Sequence, residues 1–376
     1  MRQTPAVQVL LAVLGGLIVV RTWMSVLASL VVPRRSRDFI SRGVRLGVNG
    51  LYRTATARVR DYHRRDRMLA TEAATAILVQ LLSWLGLFYV GFALLLQIID
   101  RQGVRSAFSQ AGSSLFTLGY AGPSDGPLTA VDYLAAATGL VVVALQIGYL
   151  PTLYSAFNRR ETEVTLLAAR AGTPSWGPEI LARTRFGFEA GDDGAVMTDF
   201  YLAWERWAAD VEESHTNYPV LIRFRSPRPM SSWIVALIAV LDSAALWLAL
   251  SPSLAPRLEA RLALRTGFTV LRSIAESLGI PVDHDPDPDA PLQLSYEEYL
   301  QGVARISSTT FVVERTPEEA WPDFRGWRVN YEAVAYALAA RVDAVPAQWT
   351  GPRRTGDPPI TPLRPPTRRP TPFSER

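Results

Sequence analysis

Between residues 106 and 121 the chain reads SAFSQAGSSLFTLGYA, a stretch of hydroxyl-bearing, small and glycine residues set between two long apolar runs. The chemistry open to such a segment is that of its backbone. A cation that sheds its water must find the lost oxygens elsewhere, and a column of carbonyls aimed at one axis supplies them. Pointing successive carbonyls the same way demands alternating backbone handedness, which Gly accepts at positive φ without steric cost. Gly119 can meet that demand. Other chemistries are poorly provided for. The chain has no Cys and no Lys, its 39 basic residues all being Arg, so thiolate sites, P-loop lysines and Schiff-base lysines are excluded. The imidazoles of His63, His215 and His284 lie far apart in sequence. This composition points away from an enzyme, with no catalytic residue and no cofactor expected.

The run Ser113-Ser114-Leu115 leading into Thr117-Leu118-Gly119-Tyr120 resembles the pore helix and selectivity filter of two-transmembrane-helix pore-loop potassium channels. That resemblance implies a hydroxyl ligand at Thr117, a turn at Gly119 and a Tyr120 ring bracing the filter from behind, with Leu118 in place of the usual Val. Ala121 stands where the family has its second Gly, and Gly122 where it commonly has Asp. A non-Gly residue in the left-handed region costs on the order of 1 kcal/mol, so a reoriented outermost carbonyl ring is expected at Ala121. The resemblance to studied channels covers residues 74 to 157. The segments ESHTNYPVLIRFRS and FRGWRVNYEAVAYALA extend it to uncharacterised bacterial proteins of the potassium channel family. One chain supplies one pore loop and the filter sequence does not recur, so a homotetramer with potassium ions in the filter is implied.

The elements that must hold this segment are membrane helices. Residues 74 to 99 form an uncharged apolar run of 26, enough to cross a bilayer core that needs about 20. Residues 129 to 157 are as long, with Asp132 their only charge before Asn158, Arg159 and Arg160. Thr129 and Asp132 have capping-box spacing; the alternative for Asp132 is a cation-attracting carboxylate at the outer mouth, as for Asp100 and Asp125. Gly139, Gly148 and Pro151 are candidate gating hinges of this second helix, with close packing the competing reading for the glycines and a kink expected at Pro151. Residues 6 to 32 are apolar except Arg21, and are read as an uncleaved helix in preference to a secretory signal. Between residues 33 and 67 lie 11 Arg against 3 Asp, which the positive-inside rule retains in the cytoplasm. With that loop inside, residues 105 to 116 form a short pore helix and the filter opens outward.

Five regions follow: an N-terminal transmembrane helix (1–32), a basic cytoplasmic juxtamembrane segment (33–70), a two-helix pore-loop domain (71–157), an α-helical cytoplasmic domain (158–345) and a disordered Pro- and Arg-rich tail (346–376). Phe39, Leu46, Leu51 and Tyr52 alternate with Arg in the basic segment, predicting a helix at the interface in contact with anionic lipid headgroups and not with nucleic acid. In the cytoplasmic domain residues 231 to 250 are long enough to span, yet Asp242 at their centre favours a buried helix. His215, Tyr218, Arg223 and Asp242 are candidates for one polar cluster, and DHDPDPD at 283 to 289 reads as a solvated acidic linker. The expected protein is all-α, a multi-pass inner-membrane cation channel gated by an unknown signal or ligand through its cytoplasmic domain. A non-conducting sensor or scaffold on the same frame is the alternative.

Overall fold

The computed structural model describes residues 5–32, 38–97, 103–121, 127–184 and 193–363. The chain is all-helical and divides into two compact units, residues 1–57 with 68–155 and residues 58–67 with 156–376. Four helices are long and apolar enough to cross a membrane, which points to a multi-pass membrane protein.

The first unit contains α1 (Pro5–Leu30), α2 (Phe39–Thr56), α4 (Glu72–Leu96), α5 (Val104–Leu115) and the first part of α6 (Pro127–Ala171). α1 packs along α4 through glycines. A Cβ at Gly15 would lie 2.6 Å from the Gly91 carbonyl oxygen, and one at Gly91 would lie 2.8 Å from Val19. Small residues permit this backbone approach, the usual means of helix association where lipid removes the hydrophobic drive. The Trp84 indole donates to Ser25 Oγ (2.9 Å), whose hydroxyl donates to Asp38 (2.6 Å), the N-cap of α2. Arg21 reaches out of its apolar helix to lie over the Phe39 ring.

α6 runs well past residue 157, because no breaker follows until Gly172, which closes the helix at φ +74. It is continuous through Pro151. Thr129 therefore sits inside the first turn of α6 and not at its cap, contrary to the capping-box reading.

The second unit is built around α9 (Trp233–Leu250), every residue of which is buried. It is enclosed by α7 (Gly177–Ala182), α8 (Asp193–Asn217), α10 (Arg257–Ser277), α12 (Pro317–Arg328) and α13 (Glu332–Arg341), with α11 (Tyr296–Ser307) against α7. Burial on all sides is why this helix is apolar all round while α10 and α11 are amphipathic. Capping boxes at Ser295/Glu298 and Thr316/Glu319 start α11 and α12.

Two expectations fail here for one reason. Residues 58–67, read as lipid-facing, belong to the second unit through α3 (Tyr62–Leu69): Arg65 is fully buried and paired with Asp343 (2.6 Å) and Asp357, while Asp66 pairs with Arg225. The tail is also not free from residue 346 on. Residues 346–363 fold back, pairing Ala347 with Ile360 and Thr173 with Leu363, and burying Arg353. Arg353 donates to the carbonyls of Ala344, Val345, Thr350 and Gly351. A guanidinium offers five N–H groups, so charge-rich sequence goes inside when each donor finds an oxygen.

Candidate functional site

α5 ends at Leu115, and the chain then folds back over its own last turn. The amide of Thr117 donates to the Ser114 carbonyl (3.0 Å), those of Leu118 and Gly119 to the Ser113 carbonyl (2.9 and 3.4 Å), and that of Ala121 to Ser113 Oγ (3.1 Å). Among the described residues, no hydrogen bond is accepted by the carbonyls of residues 117 to 121. Four of the five amides of residues 117 to 121 are thus bonded back onto α5, while among the described residues the acceptors are left over. Residues 117 to 120 are exposed in the single chain.

The handedness follows the expected alternation but sits differently. Gly119 has φ +70 and Thr117 φ +54, whereas Ala121 is not in the left-handed region. The expected strain at Ala121 is thus corrected: it falls on Thr117, where a β-branched residue at positive φ is a genuine outlier. Such a conformation costs on the order of 1–3 kcal/mol and clusters at functional sites. The Thr117 hydroxyl donates to the Phe116 carbonyl (2.8 Å).

Tyr120 folds against α5, its hydroxyl donating to the Ser109 carbonyl (3.1 Å). Tyr89 of α4 packs edge-on against Phe108 and near Phe116, and a Cβ at Gly112 would press on the Tyr89 ring at 3.2 Å. On the other side, Asp132 of α6 is buried and accepts from Gln110 Nε2 (2.8 Å) and Ser114 Oγ (2.9 Å). It lies beyond the first turn of α6 and is not its cap. A Cβ at Gly139 would stand 1.9 Å from the Leu115 carbonyl oxygen, so this glycine is required for close approach; around Gly148 the space is open. Asp100, Gly122 and Asp125 lie outside the described residues.

Searches against family models, curated proteins and solved structures return no match.

Sequence reasoning located Ser113, Ser114 and residues 117 to 121 together, and the structure assembles them as one loop on one helix end. It missed Gln110 and the role of Asp132. The signal was present, since an Asp inside an apolar helix must find donors, but its spacing from Thr129 mimicked a cap.

The polar cluster proposed for the second unit does not form. Asp242 bonds Arg328 and Tyr331, whereas His215 belongs to a separate network on α6 and α8. Arg160, fully buried, donates to His215 Nε2 (2.9 Å) and to the Leu221 and Phe224 carbonyls, and pairs with Glu161. Because Arg only donates, Nε2 is the acceptor and Nδ1 carries the proton, 3.0 Å from Ser214 Oγ. Burial first, and the Arg160 charge second, hold His215 well below the ordinary 6.5. The unfolded chain takes up this proton near pH 6.5 and the folded one does not, so stability is intact above that pH and falls as the pH drops below it. The expected loss is about 1.4 kcal/mol per pH unit until the folded group titrates. Thermal unfolding of the full protein followed from pH 7.5 to 5 should show this fall, and His215→Gln, which still accepts from Arg160, should flatten it. An unchanged slope in that variant would remove His215 from the account. Among the described residues no group of three or more His, Asp or Glu is placed to hold a metal ion. The DHDPDPD loop is exposed, with Asp283 and Asp287 each accepting from the amide two residues on.

Proposed function

We propose that this chain is one subunit of a homotetrameric cation channel, with residues 117–121 as the filter, α5 as the pore helix, and potassium as the expected ion. One observation carries the reading: a loop at the end of a short helix, between two helices long enough to span, four of whose amides turn back on that helix while, among the described residues, its carbonyls accept no hydrogen bond. Four such loops around an axis would present rings of oxygen to a dehydrated ion. Leu118 and Tyr120 are each 63% exposed in the single chain, a surface that neighbouring subunits would cover. The C-terminal dipole end of α5 favours a cation beyond it.

The second unit, on the cytoplasmic side by the Arg count, is proposed as the gating domain. It holds the chain on both sides of the pore unit in sequence, burying Arg65 shortly before α4 and Arg160 within α6. α2 presents Phe39, Leu46 and Leu51 together with Arg42 and Arg53 on exposed positions, which suits the interface of an anionic leaflet. The non-conducting sensor is favoured by one feature, the absence of a second filter Gly at residue 121. Ion flux through the purified protein in liposomes separates the two readings.

A further inference from the structure

We infer that Asp132 is the positioning residue of the filter, tying its register to the second membrane helix. The inference rests on the channel reading for its consequence, but its geometry stands apart from conduction.

The filter loop hangs from two residues. Ser113 and Ser114 accept the amides of Thr117, Leu118, Gly119 and Ala121. Nothing in the loop itself fixes where those two serines stand relative to α6. Asp132 does so, each of its carboxylate oxygens taking one donor from α5, Gln110 on Oδ2 and Ser114 on Oδ1. Residues 110 and 114 are one turn apart on one face of α5, so the two bonds resist both rotation and sliding of that helix. Two turns further along α6, Gly139 lets the α6 backbone meet the Leu115 carbonyl. Asp132, Ala135, Gly139 and Val142, all on one stripe of α6, make this contact at three-and-four spacing; Asp132, Ala135 and Val142 are buried. A carboxylate is costly in such surroundings unless donors satisfy it, and two of its donors, Gln110 and Ser114, lie on the helix that carries the filter. Any shift of α6 near residue 132 must therefore move Ser114, and with it the amide anchors of residues 117 to 121. Asp132 couples the pore-lining helix to the filter.

Hydrogen exchange of the full-length protein in lipid nanodiscs, read by mass spectrometry on peptides covering residues 113 to 121, tests this directly. In Asp132→Ala the amides of 117 to 121 should exchange at least tenfold faster, while peptides of α4 and of the second unit keep their wild-type rates. Ser114→Ala, which removes one of the two bonds, should give a smaller acceleration, and the double variant no more than Asp132→Ala alone, since that variant already lacks the Ser114 bond. In potassium and sodium flux, Asp132→Ala should lower the selectivity ratio several-fold, and Asp132→Asn, whose Oδ1 still accepts from Ser114, should fall between. Unchanged exchange at 117 to 121 in Asp132→Ala, or additive effects of the two single variants, overturns the inference whatever the flux. Exchange behaving as described in a protein without wild-type flux sinks the channel reading and leaves the Asp132 coupling standing.

Discussion

Replacing Gly119 with Ala should abolish potassium flux while leaving helicity and assembly as in wild type. Among the described residues no atom lies within 4 Å of a Cβ added at Gly119, so the substitution meets no clash there. Its effect comes through φ +70 alone. An L-residue there costs on the order of 1 kcal/mol, which lowers the ratio of correct to incorrect loops about fivefold in each chain. Where all four loops must be correct together the penalties multiply, up to a loss on the order of a thousandfold. Ala121→Gly should have a small effect by comparison, because Ala121 is outside the left-handed region and gains nothing from Gly. Potassium flux into liposomes, with circular dichroism and sizing of the same preparations, measures both. Flux at the wild-type rate in Gly119→Ala would exclude residues 117–121 as the filter.

The largest loss of stability should come from Arg328→Met. Arg328 is fully buried and donates to Asp242, to Glu332 Oε1 (2.9 Å), to the Tyr336 hydroxyl (2.7 Å) and to the Trp349 carbonyl (2.8 Å). Removing one partner of a buried pair costs about 3–5 kcal/mol, since the other is left charged and unpaired. Here both Asp242, on the core helix α9, and Glu332 would lose their counter-charge, keeping only the Tyr331 hydroxyl and the amides of Gln293 and Leu294 respectively. Differential scanning calorimetry of the full protein should show the transition of the second unit lowered by many degrees, with Arg328→Lys only partly restoring it, because an ammonium cannot reproduce the forked geometry. A transition within a degree of wild type would mean that this network contributes little.

Apolar pattern made the membrane helices, the short helix and the buried character of residues 231–250 legible, because a run of 20 or more apolar residues has few places to go. The identity and order of residues 113–121 made the loop legible, since its geometry is local and its glycine demand is specific. What escaped was non-local. Asp132 finds its donors on α5, and nothing in its neighbourhood distinguishes that use from a helix cap. Arg65 and Asp66 were read as part of a basic segment in contact with lipid headgroups, and Arg353 as part of a disordered tail, because they sit among charges and prolines. Burial of such residues depends on oxygens supplied by Asp343, Asp357 and the carbonyls of 344 to 351, far off in sequence or set by the turns at Trp349 and Gly351, both at positive φ. The length of α6 was underestimated because the charges at 158–161 looked like an end, whereas Arg160 continues the helix as a core residue.

The most direct test of the account is potassium and sodium uptake by liposomes carrying the purified wild-type protein as tetramers, under an imposed gradient. The account predicts passive potassium flux well above that of sodium, driven by the gradient and lost in Gly119→Ala. Tetramers that pass neither ion would contradict it and leave a membrane sensor built on an unused pore frame.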